Sequence, residues 1–495
     1  MSMVTEAFPQ FDKNEYEEKL KKYYGDMLVY KSSANAKFFS ALSLPSFMRD
    51  WLVMRFSNDE GVIDKKEVSD YVKRVIPKKE QWNEYLVDLL HNEQTVRFLA
   101  KIKIDFDAKT KTALFLLPDF EIPRKKGEAV VDWDVIEANR EHLLSPTETW
   151  GIVEITVEEG EKGNVFKLID FKPFCPYTID LDYYIEARKF FSIDEWIHVL
   201  LSAIDYNPSG YASITQKMTM LARLLPFVEK RLNLIELAPK ETGKSYLFAQ
   251  ISKYGWLVSG GSISRAKMFY DINKRAPGLI SRYDYVAFDE IQSIKFTDAM
   301  EMQGALKGYL ESGEYRVGDA RGVGDAGLVL LGNIEAGRMD ITKNMFRELP
   351  EIFHESALLD RFHGFIKGWN IPKMKESLKM NGWALNTEYF GEIIHVLRDE
   401  ISYRAVVDKL LELPPNAATR DTEAIKRICT GYLKLLFPDA TEVDKVDVSL
   451  FERYCLAPAI EMRSVIKTQL GILDPGEFGE ATVPDIRVQE EFREE

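Results

Sequence analysis

The sequence predicts a multidomain protein of mixed α+β and α/β class, with a helical N-terminal domain, a small OB-like β domain, an α/β domain and a helical lid. Three observations predict this class. Apolar residues recur at helical spacing at 1–92, alternate with a period near two at 93–185, and form short apolar strands between polar or helical stretches at 186–375. The helical pattern returns at 376–473 as the lid, and an acidic tail, expected to be solvated, follows at 474–495.

The composition is that of a globular protein. The chain has 495 residues, 45% of them hydrophobic and 29% charged, and a formal net charge of −14. These values exclude a disordered chain and a protein that coats nucleic acid through a uniformly basic surface. They do not exclude local basic sites that bind nucleic acid, because net charge does not describe the charge of a single groove. The three cysteines match no disulfide framework or zinc spacing.

No segment of the sequence has the features of a secretion signal or a membrane anchor. Acidic residues are scattered through the N-terminus, and no apolar segment follows them. No uncharged apolar run approaches the roughly 18 residues that a membrane span needs. We therefore expect a cytoplasmic protein with no membrane partner.

The first two domains are predicted from the change in period. Helical spacing is clear at 45–56 and 65–76, which favours a small helical domain. From Thr95, four short alternating segments follow one another, separated by turns rich in Lys, Asp and Gly. Several short strands in this length favour a small β-barrel or sandwich.

A phosphate-binding loop is predicted at Leu232–Ser245, LNLIELAPKETGKS, where an apolar strand leads through a loop to Gly-Lys-Ser at the start of a helix. A triphosphate needs inward backbone N–H groups, a cation and a hydroxyl for Mg²⁺. Ala238 replaces the glycine that usually opens this pattern, which leaves the shape of the loop open. A chance Gly-Lys-Ser is the alternative. The predicted ATP-binding residues are Ala238, Pro239, Lys240, Glu241, Thr242, Gly243, Lys244, Ser245 and Tyr246.

Two downstream strands end in polar residues that suit ATP hydrolysis. The segment YVAFDE ends in Asp289, a predicted Mg²⁺ ligand together with Ser245, and Glu290, predicted to polarise the attacking water. The segment GLVLLGN ends in Asn333, predicted to orient that water near the γ-phosphate. The alternative for Asn333 is a turn residue, since Gly-Asn often ends a strand.

Two arginines are candidates for contacts with the γ-phosphate. Arg361 follows a helix and precedes another apolar run, so it suits a finger that acts on a neighbouring subunit. A surface salt bridge is its alternative role. Arg420 stands at the start of a lid helix, from which it would contact the γ-phosphate from above. Its alternative is a helix-start residue paired with a nearby acid.

With these residues in place, the chain resembles the BrxL family of AAA+ ATPases from BREX phage-defence systems, a Lon-like family whose motor is similar to that of MCM replicative helicases. The resemblance covers most of the chain. It rests on ARLLPFVEKRLNLIEL, KSYLFAQIS, LVSGG, YDYVAFDE, LLGNI and, most specifically, DRFHGFIKGWNIPKM. It implies an AAA+ fold for 186–375.

The resemblance also implies roles for single residues. Lys244 and Ser245 take the place of Walker A, and Asp289 and Glu290 that of Walker B. Asn333 is then sensor 1, Arg361 the arginine finger and Arg420 sensor 2. Family members continue into a Lon-like domain with a Ser-Lys dyad, whereas this sequence ends at Glu495, so we do not expect protease activity.

Resemblance to MCM-like rings implies a hexamer or a stacked double hexamer that holds DNA, most simply a duplex, in a central pore and acts with other BREX components. A Gly-rich segment between the Walker B acids and Asn333 would form a pore hairpin, with Lys307, Arg316 and Arg321 on DNA phosphates. A solvated hairpin is the alternative, because acids are interleaved. The basic run Arg124, Lys125 and Lys126 is a second candidate DNA contact, with solvated strand edges as its alternative.

The sequence thus predicts an ATP-hydrolysing, hexameric, DNA-binding motor that uses ATP and Mg²⁺ in BREX-type defence and encircles or translocates on DNA. A protein-remodelling AAA+ ATPase that works with a separate protease is the alternative. A nucleotide-gated scaffold with a vestigial ATPase, because of Ala238, is the third possibility.

Overall fold

The computed structural model describes residues 12–42, 44–58, 61–123, 127–145, 148–160, 163–272, 276–479 and 482–493. The chain forms two compact units. The large unit comprises Met1–Met54 and Ile179–Glu495, and the small unit comprises Arg55–Thr178. The mixed class is confirmed, with 50% helix and 22% strand. The predicted helical segment 1–92 contributes to both units.

Among its described residues, the N-terminal part of the large unit contains three α-helices and one strand. Asp12 begins the first helix because its side chain accepts hydrogen bonds from the backbone N–H groups of Asn14 and Glu15. The elements are α1 (Lys13–Tyr24), β1 (Leu28–Lys31), α2 (Ser33–Ala41) and α3 (Ser46–Phe56), which crosses into the small unit.

The small unit contains a closed five-stranded barrel in the order β2-β3-β4-β6-β5. Alternate residues of its strands, such as Phe98, Phe115 and Phe171, fill the core, while Phe106 is exposed and stacks on Trp133. The elements are α4 (Lys65–Val75), α5 (Trp82–Leu90), β2 (Val96–Asp107), β3 (Thr112–Leu116), β4 (Ala129–Val131), α6 (Trp133–Ala138), α7 (Arg140–Leu143), β5 (Thr149–Gly160) and β6 (Gly163–Pro173).

The rest of the large unit alternates strands and helices and then becomes helical. Its elements are α8 (Leu181–Arg188), α9 (Ile193–Ala203), α10 (Ile214–Ala222), α11 (Leu225–Val228), β7 (Leu234–Ala238), α12 (Lys244–Gln250), β8 (Gly255–Ser259), β9 (Ser262–Ile263), α13 (Arg265–Met268), β10 (Tyr270–Asp271), β11 (Ala276–Pro277), β12 (Tyr285–Asp289), β13 (Lys295–Phe296), α14 (Ala299–Ser312), β14 (Glu314–Val317), β15 (Ala320–Val323), β16 (Gly327–Asn333), α15 (Ser356–Leu359), β17 (Gly364–Lys367), β18 (Gly382–Leu385), α16 (Thr387–Asp399), α17 (Ser402–Leu410), β19 (Leu411–Glu412), α18 (Thr419–Leu436), α19 (Val448–Phe451), α20 (Ala457–Leu473), α21 (Pro475–Phe478) and β20 (Arg487–Val488).

A five-stranded parallel sheet forms the centre of the large unit, in the order β17-β7-β16-β12-β8. Every residue of β7 and β12 is buried, as expected of a parallel sheet covered on both faces. Because β16 lies between β7 and β12, the carboxyl ends of these three strands are neighbours. Ala238, Asn333 and Asp289 therefore lie along one edge of the sheet.

The C-terminal helices pack against this sheet, and the tail returns to them. Gly364 in β17 lies close to Met462 in α20, where a Cβ on the glycine would meet the Met462 Cβ at 3.0 Å. In the tail, β20 pairs antiparallel with β19, and Phe478, Ile486 and Val488 are buried. The prediction of a solvated tail is wrong for its described part, because these apolar residues among the acids bind it to the unit.

Of the helices in the described part of the chain, none is both long enough and apolar enough to cross a lipid bilayer.

Candidate active site

The phosphate loop joins the end of β7 to the start of α12. Gly243 stands immediately before α12 with a φ of +77°, a conformation that favours glycine. A Cβ at this position would also lie 2.6 Å from the hydroxyl oxygen of Tyr206. That hydroxyl donates a 3.0 Å hydrogen bond to the Gly243 carbonyl oxygen. Tyr206 therefore fixes the loop at the residue that precedes Lys244.

Ala238 occupies the position where a glycine usually opens the pattern, and its surroundings explain why alanine fits. Ala238 is the last residue of β7, is fully buried and has no positive φ. Its methyl group packs against Gly368, where a Cβ would lie only 2.3 Å from the Ala238 Cβ. The backbone conformation at position 238 therefore does not require a glycine. The missing side chain of Gly368 leaves room for the Ala238 methyl group.

Lys244 points along the edge of the sheet. It is 6% exposed, and its Nζ donates a 2.7 Å hydrogen bond to Oδ1 of Asn333. Burial lowers the pKa of the Lys244 ammonium, while the carboxylates of Glu236 and Asp289 oppose this shift. The two predicted residues from β16 and the phosphate loop are thus in direct contact.

The acidic pair lies at the end of β12. Asp289 is 7% exposed, and its Oδ1 accepts a 3.0 Å hydrogen bond from the backbone N–H of Glu290. Glu290 is exposed and has a φ of +47°, where the chain turns away from the strand. Asp289 and Ser245 both line a cavity of about 780 Å³ beside the phosphate loop.

A hydroxyl and a carboxylate are suitable ligands for Mg²⁺, which takes its remaining ligands from phosphate oxygens and water. Ser245 and Asp289 provide this pair on the cavity wall. Within the described ranges, no group of three or more His, Cys, Asp and Glu side chains forms a metal site. The Ser245 hydroxyl and the Asp289 carboxylate fit a cation that takes its other ligands from phosphate oxygens and water.

Gln292, which the sequence analysis did not single out, holds the end of β16. Its Nε2 donates a 2.8 Å hydrogen bond to the Asn333 carbonyl oxygen, and the Asn333 N–H donates to its Oε1 at 3.4 Å. Both backbone groups of Asn333 are thereby fixed. The only sequence signal was its place two residues after Glu290.

A buried ion pair beneath the phosphate loop was also missed. Arg223 and Glu236 are both fully buried and joined by two hydrogen bonds, from Nε to Oε2 at 2.9 Å and from Nη2 to Oε1 at 2.5 Å. Arg223 Nη1 also donates to the carbonyl oxygen of Thr242 at 2.9 Å. The pair therefore connects β7 to the loop. Its sequence signal was a single charge in the otherwise apolar Leu234–Ala238.

Comparison with known proteins identifies the family of the chain. The model of the ATPase domain of Lon-like protease BrxL-like proteins matches residues 166–484. The model of the N-terminal domain of the BREX system Lon protease-like protein BrxL matches residues 22–157. The chain belongs to the BrxL family. This confirms the predicted family, and its ATPase domain supports ATPase activity and the use of a nucleotide.

Two BrxL relatives show how much of the family's length is represented here. The Lon-like protease BrxL of Escherichia coli O9:H4 (strain HS) is 31% identical over 443 residues, which cover 88% of this chain and 62% of the relative. The Lon-like protease BrxL of Bacillus cereus (strain H3081.97) is 33% identical over 350 residues, which cover 69% of this chain and 51% of the relative. The chain therefore matches less than two thirds of either relative.

The two candidate arginines lie together in this chain. Nε of Arg361 is 2.7 Å from Oε2 of Glu311, and Nη2 of Arg420 is 3.1 Å from the same oxygen. Arg420 also pairs with Asp360 at 3.0 Å. Both arginines line a cavity of about 460 Å³, and neither lines the cavity beside Gly243, Ser245 and Asp289. The structure thus groups Arg420 with Arg361 and not with the phosphate loop of the same chain.

The candidate DNA contacts of this chain fall into three groups. Arg316 and Arg321 face each other directly across the β14–β15 hairpin, and both are exposed. Lys307, on α14, forms an ion pair with Glu355. Arg124, Lys125 and Lys126 lie outside the described residues.

The hairpin has two different faces. Tyr315 and Val317 are buried on the face opposite to Arg316. Like charges directly opposite each other on a hairpin are destabilising. The Arg316–Arg321 pair therefore favours an anion at this position.

Proposed function

We propose that the chain is an ATP-hydrolysing, DNA-binding motor of BREX-type phage defence that works as a hexameric ring. The contact between Lys244 and Asn333 supports this most strongly, because it joins the phosphate loop to the strand end predicted to orient the attacking water. A lysine at a phosphate loop, an acid pair on a neighbouring strand and a polar strand end form the set that ATP hydrolysis needs.

In the proposed reaction, the β- and γ-phosphates of ATP lie at Lys244. The Lys244 ammonium then donates to phosphate oxygens in place of its hydrogen bond to Asn333. Glu290, exposed at the end of β12, accepts a proton from the attacking water, and Asn333 orients that water. Ser245 and Asp289 would hold Mg²⁺, which neutralises phosphate charge when it is bound.

The arginines support the proposal of a ring. Arg361 and Arg420 share Glu311 and line a cavity without the phosphate loop, so they would serve the ATP of an adjoining subunit. A γ-phosphate brought by a neighbour would replace the Glu311 carboxylate as the anionic partner of both arginines. Two guanidinium groups would then stabilise charge in the transition state. The hexamer or stacked double hexamer follows from the resemblance to MCM-like rings.

The β14–β15 hairpin is the proposed DNA contact. The two exposed arginines opposite each other are of the residue type that contacts backbone phosphates in protein–DNA interfaces. A protein-remodelling motor would present an exposed aromatic residue on a pore loop, whereas Tyr315 of this hairpin is 8% exposed. The hairpin therefore favours DNA over the alternative of protein remodelling.

A binding titration tests this proposal. Fluorescence anisotropy of labelled duplex DNA is measured with and without ATP at two salt concentrations, for the unmodified chain and for Arg316→Ala/Arg321→Ala. We expect binding that weakens as salt rises, and a smaller salt dependence in the double variant. Arg347→Ala is the control, since Arg347 is an exposed arginine outside the hairpin. Salt-insensitive or absent DNA binding in every state would favour the protein-remodelling function.

A further inference from the structure

The cavity beside the phosphate loop extends well beyond the residues that would hold phosphates. One wall is α12, with Ser245, Tyr246 and Gln250. The opposite wall comes from the N-terminal segment of the same unit, from β1, α2 and α3. Its volume of about 780 Å³ is in the range of cavities that enclose a whole small ligand. A triphosphate group alone leaves most of this space unfilled.

The N-terminal wall is held in place by a buried group of charges. Nζ of Lys31 is 2.8 Å from Asp205, and Nη2 of Arg49 is 2.7 Å from the same carboxylate. The hydroxyl of Tyr246 donates a 2.6 Å hydrogen bond to Asp205 as well. Tyr246 directly follows Ser245, so these contacts bind the wall to the helix that begins at the phosphate loop. The cavity is therefore a defined feature of the unit.

Asn35 gives this wall an unused hydrogen-bonding group. The residue is 8% exposed, lies on α2 and lines the cavity. Its backbone N–H donates to Oγ of Ser32 at 3.1 Å, which fixes its position at the start of the helix. Its side-chain amide nitrogen has no hydrogen-bond partner within the described part of the chain. A buried unpaired amide is unfavourable, and a ligand that accepts its hydrogen bond removes this penalty.

We infer that this cavity binds the nucleoside half of ATP and that Asn35 selects adenine over guanine. The inference rests on the proposed function, because the phosphates of the same nucleotide lie at Lys244 and Ser245. The asparagine amide offers one donor and one acceptor side by side. Adenine matches it with the N7 acceptor and the N6 amino donor, whereas guanine presents two acceptors, N7 and O6, on that edge.

The rest of the wall suits a purine. Phe39, Val53, Leu257 and Met380 supply apolar surface in the same cavity, against which the faces of a base pack. An apolar cavity with a few placed polar groups is the usual form of a nucleoside site. Asn35 is then a specificity residue for the nucleotide, located more than two hundred positions before the phosphate loop in the sequence.

The test compares equilibrium binding of fluorescent ATP, fluorescent GTP and inorganic tripolyphosphate to the full chain and its variants. We expect the unmodified chain to favour ATP over GTP by roughly 5- to 150-fold, the range for one bidentate contact to a base. In Asn35→Ala this ratio falls toward one, while tripolyphosphate binding does not change. Asn35→Asp, which keeps the size of the side chain and loses the amide donor, lowers ATP binding as well.

Asn14→Ala is the matched control, because Asn14 is an exposed asparagine of the same unit outside the cavity. Its ATP-to-GTP ratio stays that of the unmodified chain. Equal binding of ATP and GTP by the unmodified chain, or an unchanged ratio in both Asn35 variants, overturns the inference and leaves the proposed ATPase intact. Failure of the unmodified chain to bind ATP, GTP and tripolyphosphate overturns the proposed function itself.

Discussion

Lys244 and Asn333 are joined by a hydrogen bond of 2.7 Å between Nζ and Oδ1. Asn333 ends β16, and Lys244 follows the loop that begins at the end of the neighbouring β7. The contact places an ammonium that suits a γ-phosphate next to an amide that suits a water molecule. In the proposed reaction, phosphate binding to Lys244 would release the Asn333 side chain for that water. The contact would then connect nucleotide binding to the assembly of the hydrolytic site.

Asn333→Ala should bind ATP with nearly unchanged affinity and hydrolyse it about 10²-fold more slowly, because one positioned polar group is lost. Gln292→Ala should lower kcat less, since Asn333 remains and only its backbone support is removed. Phosphate release and nucleotide binding are measured in parallel. Asn344→Ala is the control, because Asn344 lies outside the cavity beside the phosphate loop and its side chain accepts a hydrogen bond from the Arg347 N–H. Turnover that is unaffected in Asn333→Ala would mean that this residue only ends the strand.

Removal of the Glu236 carboxylate should lower the stability of the fold more than any other change near the phosphate loop. Glu236→Ala leaves Arg223 buried without its carboxylate and should cost about 3–5 kcal/mol of stability. Glu461→Ala breaks the half-exposed pair with Lys367 and should cost at most about 1 kcal/mol. Thermal denaturation of both variants compares the two effects. Losses of equal size would contradict a supporting role for the buried pair.

Arg361 should act on a neighbouring subunit. Arg361→Ala and Lys244→Ala should each lack turnover, and a mixture of both should regain about one quarter of it, the fraction of interfaces that combine an intact loop with an intact arginine. Phosphate release is measured after the subunits have been mixed and re-assembled. A mixture as inactive as its components would indicate that the arginine acts within its own chain or has no catalytic role.

Stability should depend on pH through Glu388. Its carboxylate is 2% exposed and shares the ammonium of Lys253 with Glu392, at 2.6 and 2.5 Å. Burial and the neighbouring Glu392 raise the pKa of Glu388 to about 7, against the opposing effect of Lys253. The folded state therefore favours the protonated form, and its stabilising contribution is lost as pH rises from about 4.5 to about 7.

Glu388→Gln keeps that position uncharged at every pH. We expect it to equal the unmodified chain in stability near pH 4.5 and to exceed it by up to about 3 kcal/mol at pH 8.5. Urea unfolding at the two pH values measures the difference. Glu442→Gln, at an exposed pair with Lys445, should show no such trend. A Glu388→Gln variant that is less stable at pH 8.5 would show that the charged form is the stabilising one.

The sequence predicted the parts of the site that are local. Gly243, Lys244 and Ser245 lie within one loop, and Asp289 and Asn333 end recognisable apolar strands. The order of the strands could not be predicted from the sequence, since it depends on pairings between distant segments. The approach of Arg361 and Arg420 to Glu311 depends on such distant contacts as well.

The missed residues share one physical feature, which is that their roles depend on burial or on contacts with the backbone, neither of which leaves a pattern in the sequence. Arg223 and Glu236 look like ordinary charges until both are seen to be fully buried. Gln292 acts through the backbone of Asn333, which leaves no pattern in the sequence. The contacts of the tail were not predicted, because its acids outnumber the few apolar residues that are buried against the large unit.

Turnover of ATP by Glu290→Gln decides whether this site is an ATPase. We expect Glu290→Gln to bind ATP as tightly as the unmodified chain and to lack hydrolysis, and Lys244→Ala, still folded, to lack hydrolysis too. Lys343→Ala, at an exposed lysine outside the phosphate loop and its cavity, should retain hydrolysis. Hydrolysis at the unmodified rate in both Glu290→Gln and Lys244→Ala would contradict an ATPase function of this site.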